Sequence, residues 1–429
     1  SLIKLIFLAI FLIILSLLSK THDDFSWYHL PYTLNIAQNK LQFGLGHFNH
    51  GFRTPSSLFY LNSIFYLPII KFYSFNFAQL YIFLFGLIYF YKKIFDKNIF
   101  NFISIYSLLS FIFVIIVFYR LGEHGTDRSG QIILFLCTIF LFDILREKTL
   151  NHNKLKLFIV FFVYIVTIKT YFIIFTLLFL PLIFKYRFEI DFYKQVFFSK
   201  ITFFSLIFLL LHFNIQLANT GCVLYPMSFT CFSDFIWSIN KEEIIFMGEH
   251  YELWSKSGAN PNFKIEDVSN YIKDFNWVQR WISEYFFTKV SDLVLGIIVI
   301  LIVCFYSLRD KINDQRKSYN IEIYIISISL FITLIIWFTK FPQLRYGGYF
   351  ILANLFFLPF CLYVFNSEIN TKTFKKAKIL ITVSILIFTA RNIDRMLFEI
   401  EFYNYQPLQN AYFRIENPSY EKKILSKDI

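Results

Sequence analysis

Charge is scarce in this sequence of 429 residues. Asp, Glu, Lys and Arg make up 16% of it and hydrophobic residues 57%, against roughly 25% charged and 45–50% apolar in an ordinary soluble domain. That shortage excludes a soluble globular enzyme and a disordered chain. Cysteine is equally sparse, at five residues, which excludes a disulfide-rich secreted module. No nucleotide-binding loop is visible. No pair of histidines has the His-x-x-x-His spacing of a zinc hydrolase, and no internal repeat is evident. The N-terminal apolar run, residues 2–18, lacks a small-residue cleavage site and reads as a retained span rather than a signal peptide.

Long apolar runs are abundant, and Phe, cheap in hydrocarbon, supplies 60 residues. A membrane span needs about 20 apolar residues. Runs of that kind lie near 2–19, 77–95, 100–119, 131–145, 157–168, 170–184, 199–215, 288–307, 320–339, 349–365 and 377–391. They predict an all-α polytopic membrane protein of about eleven transmembrane helices, a single transmembrane domain over 1–429. The run 157–184 would make a helix of about 42 Å at 1.5 Å per residue, long for one span and short for two. Loop charge decides in favour of two. The connectors 91–99, 145–156, 185–200, 308–318 and 366–378 hold nineteen Lys and Arg, and only the two-span reading puts all five inside, as the positive-inside rule requires. Residues 216–287, with five basic and nine acidic residues, then fall outside. The expected topology is N-terminus inside and C-terminus outside, with two short helices meeting near Lys169, outer insertions at 20–76 and 216–287 carrying short helices, and a charged tail 392–429 outside. The net charge of +12 belongs to this topology and implies contact with membrane lipids, not nucleic acid.

Cys137, Cys304 and Cys361 lie in spans and read as small packing residues. Cys222 and Cys231 lie in an outer segment, where the compartment permits a disulfide, and they are expected to pair. Six of eight histidines fall outside, among them His29 and His124; interfacial hydrogen bonding accounts for them without a metal.

Four constellations could carry chemistry. The first is Thr21-His22-Asp23-Asp24-Phe25-Ser26-Trp27-Tyr28-His29, just beyond the first span. A carboxylate there could act as general base on an acceptor hydroxyl or hold a divalent cation; equally, it could cap the helix that follows. The second is Arg120-Leu121-Gly122-Glu123-His124-Gly125-Thr126-Asp127-Arg128-Ser129-Gly130-Gln131, a charged, glycine-rich connector in which Asp127 suits the positive end of the fourth span. The third is Pro342-Gln343-Leu344-Arg345-Tyr346-Gly347-Gly348. Its permanent cation can bind phosphate bidentately or snorkel toward lipid headgroups. The fourth is Lys169, costly near membrane depth and therefore expected to pair with an outer carboxylate or a phosphate.

Carboxylates just after the first span, a second acidic loop before the fourth, and an Arg-Tyr pair by a late span resemble the GT-C superfamily of integral-membrane glycosyltransferases, which includes the protein O-mannosyltransferases and the aminoarabinose transferases of lipid A. Asp24-x-x-x-Tyr28-His29 looks like the family's acidic first-loop motif, with Asp23-Asp24 standing where an Asp-Glu pair is usual. Asp127 looks like the second acidic position, and Arg345 like the residue that meets the donor phosphate. The resemblance implies transfer of a sugar from a polyprenyl-phosphate donor to a hydroxyl on a glycan, lipid or protein, at the outer face of a bacterial inner membrane, facing the periplasm. It implies a catalytic role for Asp24, Asp23 or Asp127, and substrate binding by Arg345, Tyr346, Lys169, Arg128, Tyr28, His29 and His124. No cofactor is expected with certainty; a divalent cation stays open and no metal ligand set is assigned. A lipid-linked glycan flippase or transporter is the rival outside enzymes, although it would place its charges within spans. An O-antigen-type polymerase or ligase is the rival within them.

Overall fold

The computed structural model describes residues 24–69, 74–96, 101–120, 125–260, 263–308, 321–365 and 371–403, together with Ile6, Ile10, Phe11 and Ile14. The predicted first span therefore lies almost entirely outside the described residues, as do Asp23 and His124. The described chain is helical, with no β-strand beyond an isolated bridge between Cys222 and Cys231. A π-helical segment, Phe25–His29, runs directly into α1 (Leu30–Gln38), and α2 is Ser57–Ile64. Then come α3 (Phe77–Ile94), α4 (Phe102–Val117), α5 (Gly125–Arg146) and α6 (His152–Ile168). A 3-10 stretch, Thr170–Phe179, leads into α7 (Leu180–Tyr186), followed by α8 (Ile190–Phe198) and α9 (Lys200–Thr220). The segment 216–287, expected outside, carries α10 (Lys241–Lys256), α11 (Val268–Ile272) and α12 (Val278–Trp281). The bundle closes with α13 (Ser291–Leu308), α14 (Ile321–Lys340), α15 (Gly348–Phe365) and α16 (Thr371–Tyr403).

Among the described residues, five helical stretches are long and apolar enough to cross a membrane: Phe77–Ile94, Gly125–Arg146, Lys200–Thr220, Val278–Leu308 and Ile321–Lys340. The runs Phe102–Val117, Thr170–Tyr186 and Gly348–Val364 are apolar but shorter. Two features differ from the sequence expectation. The last helix continues without a break to Tyr403, so the first part of the expected tail, 392–403, prolongs that helix; residues 404–429 lie outside the described residues. The helix that holds the fourth apolar run extends back to Gly125, ahead of the run expected from residue 131, which brings Asp127 into its first turn.

α5 is the axis of the bundle, buried along nearly its whole length between α3, α4, α6, α7 and α15. Lipid tails are as apolar as Leu, so shape and hydrogen bonds must hold such helices together. Rings supply the shape: Phe135 packs against Phe113, Phe350 and Phe357 at centroid distances of 5.5, 5.1 and 6.3 Å. The Tyr106 hydroxyl donates to Asn354 Oδ1 at 2.6 Å, joining α4 to α15. At the C-terminal end of α5, Lys93 meets Asp143 at 2.5 Å and Lys154 meets Glu147 at 2.7 Å. Lys185 donates to the carbonyls of Leu145 and Glu147, satisfying groups that a helix end leaves open. The chain breaks at Lys169, an extended residue between α6 and the 3-10 stretch, as the sequence predicts.

Candidate functional site

The opposite end of α5 holds the polar site. Gly125 begins the helix in the left-handed region, with φ +54°, and a Cβ on it would stand 2.6 Å from His29 Cε1. Glycine is thus needed here for both conformation and contact. The ring of His29, at the end of the π-helical segment, lies over the start of α5. Two residues on, Asp127 does not cap the helix. Its Oδ1 accepts a very short bond from Lys169 Nζ, and its Oδ2 accepts from Arg345 Nε at 2.8 Å. Lys169 comes from the break after α6. Arg345 comes from the 3-10 turn Leu344–Tyr346 between α14 and α15. Tyr346 supplies a face to both cations, with Lys169 Nζ 4.3 Å and Arg345 Cζ 5.5 Å from its centroid.

The first outer segment completes the group. Asp24 stands at the head of the π-helical segment, and its charge acts on Lys169, Arg345, Tyr28 and Tyr346. Tyr28 packs edge-on to His29 at 4.4 Å. Burial and the neighbouring Asp24 push its phenol well above the ordinary value of 10.0, so it stays a neutral hydrogen-bonding group. Tyr28 is held by Gly51, where a Cβ would stand 2.1 Å from the ring.

Charge is finely divided here. Lys169 and Arg345 share Asp127, and the charge of Asp24 acts on both cations. Asp127 holds the Arg345 guanidinium above its ordinary range, against burial. Burial pulls the Lys169 ammonium down to about 8, and Asp127 opposes the shift. The Arg345 side chain keeps 38% of its surface exposed, and among the described residues no hydrogen bond reaches its two terminal nitrogens. A guanidinium with a free fork is suited to an anionic oxygen pair.

The described contacts of Arg128 lie elsewhere. Its guanidinium lies over Phe118 and Tyr349 at 5.4 and 5.6 Å and donates to the carbonyl of Val117. Adjacent helical residues point in different directions, so Asp127 and Arg128 diverge. Cys222 and Cys231 are joined as a disulfide in the outer hairpin, apart from the site. Cys137, Cys304 and Cys361 are free and buried. Among the described residues no group of three His, Cys, Asp or Glu side chains could hold a metal ion.

Gln131 closes the second constellation, but the sequence reading gave it no role. One turn beyond Asp127, its amide donates to the carbonyls of Leu344 and Arg345 and its oxygen accepts from Phe350 N at 3.0 Å. It fixes the Arg345 turn to α5. A lone Gln at i+4 from an Asp in an apolar helix was the available signal. Arg53 was also passed over. Buried to 3% exposure, it donates to the Gly46 carbonyl at 2.8 Å, to the Tyr225 hydroxyl at 3.2 Å and to Glu243 at 2.6 Å. It thereby locks the first outer segment to the second. The outer tryptophans are mainly structural: Trp281 donates to the Pro342 carbonyl at 2.7 Å, and Trp277 and Trp281 pack on Phe338.

An all-helical bundle with several apolar helices able to span a membrane, and a carboxylate–cation cluster gathered at one end from four separate segments, defines the class. The chain belongs to the family described as a domain of unknown function, DUF8201, which matches residues 1–352. Every residue of the cluster lies within that match. No curated protein and no solved structure matches the chain.

Proposed function

We propose that the protein is a GT-C-type membrane glycosyltransferase of about eleven spans. It moves a sugar from a polyprenyl-phosphate donor to a hydroxyl acceptor on the periplasmic face of a bacterial inner membrane. One observation carries the reading: Asp127 joins Lys169 and Arg345 beside Tyr346, with Asp24 and Tyr28 in electrostatic reach and His29 against Gly125, although these residues are spread over more than 300 residues of sequence.

The chemistry follows from the charges. The donor phosphodiester carries one negative charge and lies on the open fork of Arg345, with Lys169 beside it. The acceptor oxygen attacks the anomeric carbon, and its proton passes to Asp24. The bond from that carbon to the phosphate oxygen breaks, and polyprenyl phosphate leaves with a second negative charge. Asp24 loses the charge that the phosphate gains, so the site's total is unchanged while charge moves toward Arg345 and Lys169. Fixed cations at a developing anion lower the barrier most when they need not reorganise, and Asp127 and Gln131 hold them still. Asp127, with both oxygens taken, is a positioning residue, and the resemblance gives the base to Asp24, with Asp23 beside it. In-line attack inverts the anomeric centre.

The test is release of free polyprenyl phosphate by protein in lipid discs given polyprenyl-phosphate sugars and a mixture of acceptors. Wild type releases it. Asp24→Asn, inserted normally, loses about 10²–10⁴-fold in rate, the usual contribution of a general base. Release that survives the change moves the base to Asp23. No release by folded wild type with any donor overturns the transferase and favours a flippase or a polymerase.

A further inference from the structure

α9 contains 21 residues from Lys200 to Thr220, about 31 Å at 1.5 Å per residue, against roughly 30 Å of bilayer hydrocarbon. From Lys200 to Leu211 it presents exposed apolar side chains such as Phe204 and Leu211. If α9 crosses the membrane, Thr220 stands at the outer interface. The outer layer already reaches below that level: the Tyr60 hydroxyl approaches His212 Nδ1 at 3.4 Å, eight residues and about 12 Å down the helix.

Three hydrogen bonds fix two loops at this helix end. Gly44 N donates to the Ala218 carbonyl at 2.8 Å, Trp237 Nε1 to the Leu217 carbonyl at 3.3 Å and Phe232 N to the Gly221 carbonyl at 2.9 Å. Phe43 packs at a tilt against Trp237 at 4.7 Å, which joins the two loops, and the Cys222–Cys231 disulfide closes the second loop's hairpin. That surface is apolar. Leu41, Phe43 and Phe48 project from the first loop, and Met227, Phe229 and Ile236 from the second; Phe48 is 83% exposed, Phe229 85% and Ile236 fully. Lys40 and Asp234 are exposed beside it. A large apolar patch rimmed by polar residues marks an interaction surface. This one is bonded to the C-terminal end of α9, which, if the helix crosses, is the depth where aromatic side chains favour a bilayer interface.

We propose that the patch is a lipid-contacting foot, seated in phospholipid at the boundary between headgroups and acyl chains. The foot leads through Gly46 to His50–Arg53, and Gly51 bears on Tyr28, so it sets the height of the cluster near the plane of the lipid phosphates. The proposal rests on α9 crossing the membrane. It does not require the transfer reaction.

The experiment places a tryptophan at Phe229 and, separately, at Leu211, in full-length protein in discs of phospholipid brominated either near the headgroup or near the chain end. The added emission over the parent protein is followed, with iodide as the aqueous quencher. Leu211→Trp is expected to lose most emission to the deep bromines, and Phe229→Trp to the shallow ones with little loss to iodide. Quenching of Leu211→Trp alone, with Phe229→Trp open to iodide, overturns the foot. Phe229→Trp shielded from both bromines and iodide also overturns it, in favour of cover by a second copy or another protein. An unquenched Leu211→Trp overturns the crossing of α9 and the foot with it.

Discussion

Lys169 is the residue at which pH should act. Its ammonium titrates near about 8 in the folded protein, because burial outweighs the attraction of Asp127, whereas its ordinary value is 10.5. The folded group therefore loses its proton first. Stability gains from this group as pH rises through the window between about 8 and 10.5, since the unfolded chain then binds more protons. Phosphate binding moves the opposite way, because a neutral amine cannot balance an anion. The donor KM is expected to rise by about tenfold per pH unit above pH 8 in the limit where only the ammonium binds. Lys169→Arg, which does not titrate in this range, should flatten that limb. A KM profile equally flat in wild type would remove Lys169 from the phosphate site. Asp24, Asp127 and Arg345 were legible in the sequence because each is a charge beside an apolar run. Arg128 was legible on the same grounds, but spacing along the chain does not say which way a side chain turns, and its guanidinium lies over Phe118 and Tyr349.

Elements decide how those charges meet. The π-helical segment Phe25–His29 brings Tyr28 and His29 to the start of α5, and Gly51 backs the Tyr28 ring from the 3-10 turn His50–Arg53. Gly51→Ala puts a methyl group where the ring lies. The turn is partly exposed, so insertion should survive, while displacement of Tyr28 by about 1 Å should lower transfer on the order of 100-fold. Wild-type rates in this variant would show that Tyr28 position is immaterial. The helices themselves were largely readable from apolar run length: the break at Lys169 stands where 28 apolar residues are too many for one span and too few for two. The Gly125 start of α5 was not readable. Asp127, Arg128 and Gln131 are polar, and their place in a helix depends on partners in remote segments.

For the whole molecule, two polar clusters stand at opposite ends of α5. Asp127 and Asp143 are sixteen residues apart, about 24 Å along the helix. One cluster is joined to Lys93, Lys154 and Lys185 beside the basic connectors, the other to Arg345 and the outer segments. The expected topology makes a direct demand. In intact cells, an impermeant thiol reagent should label Lys264→Cys and spare Lys148→Cys until the membrane is opened. The native cysteines are buried or bonded and add little background. The reverse pattern would turn the protein over and move the cluster to the cytoplasm.

The sequence alone determined that this chain is helical and rich in membrane-type segments, because run length and loop charge are local properties that the bilayer reads directly. It also marked the charged residues worth watching, since an ionisable group beside hydrocarbon is costly and rarely idle. Only the tertiary structure decided which of them act together. Lys169 and Arg345 lie 176 residues apart in the chain and meet on one carboxylate. Gln131 and Arg53 fasten segments that share no pattern. Such contacts arise from packing between distant elements, where direction and distance count and periodicity carries no record of them.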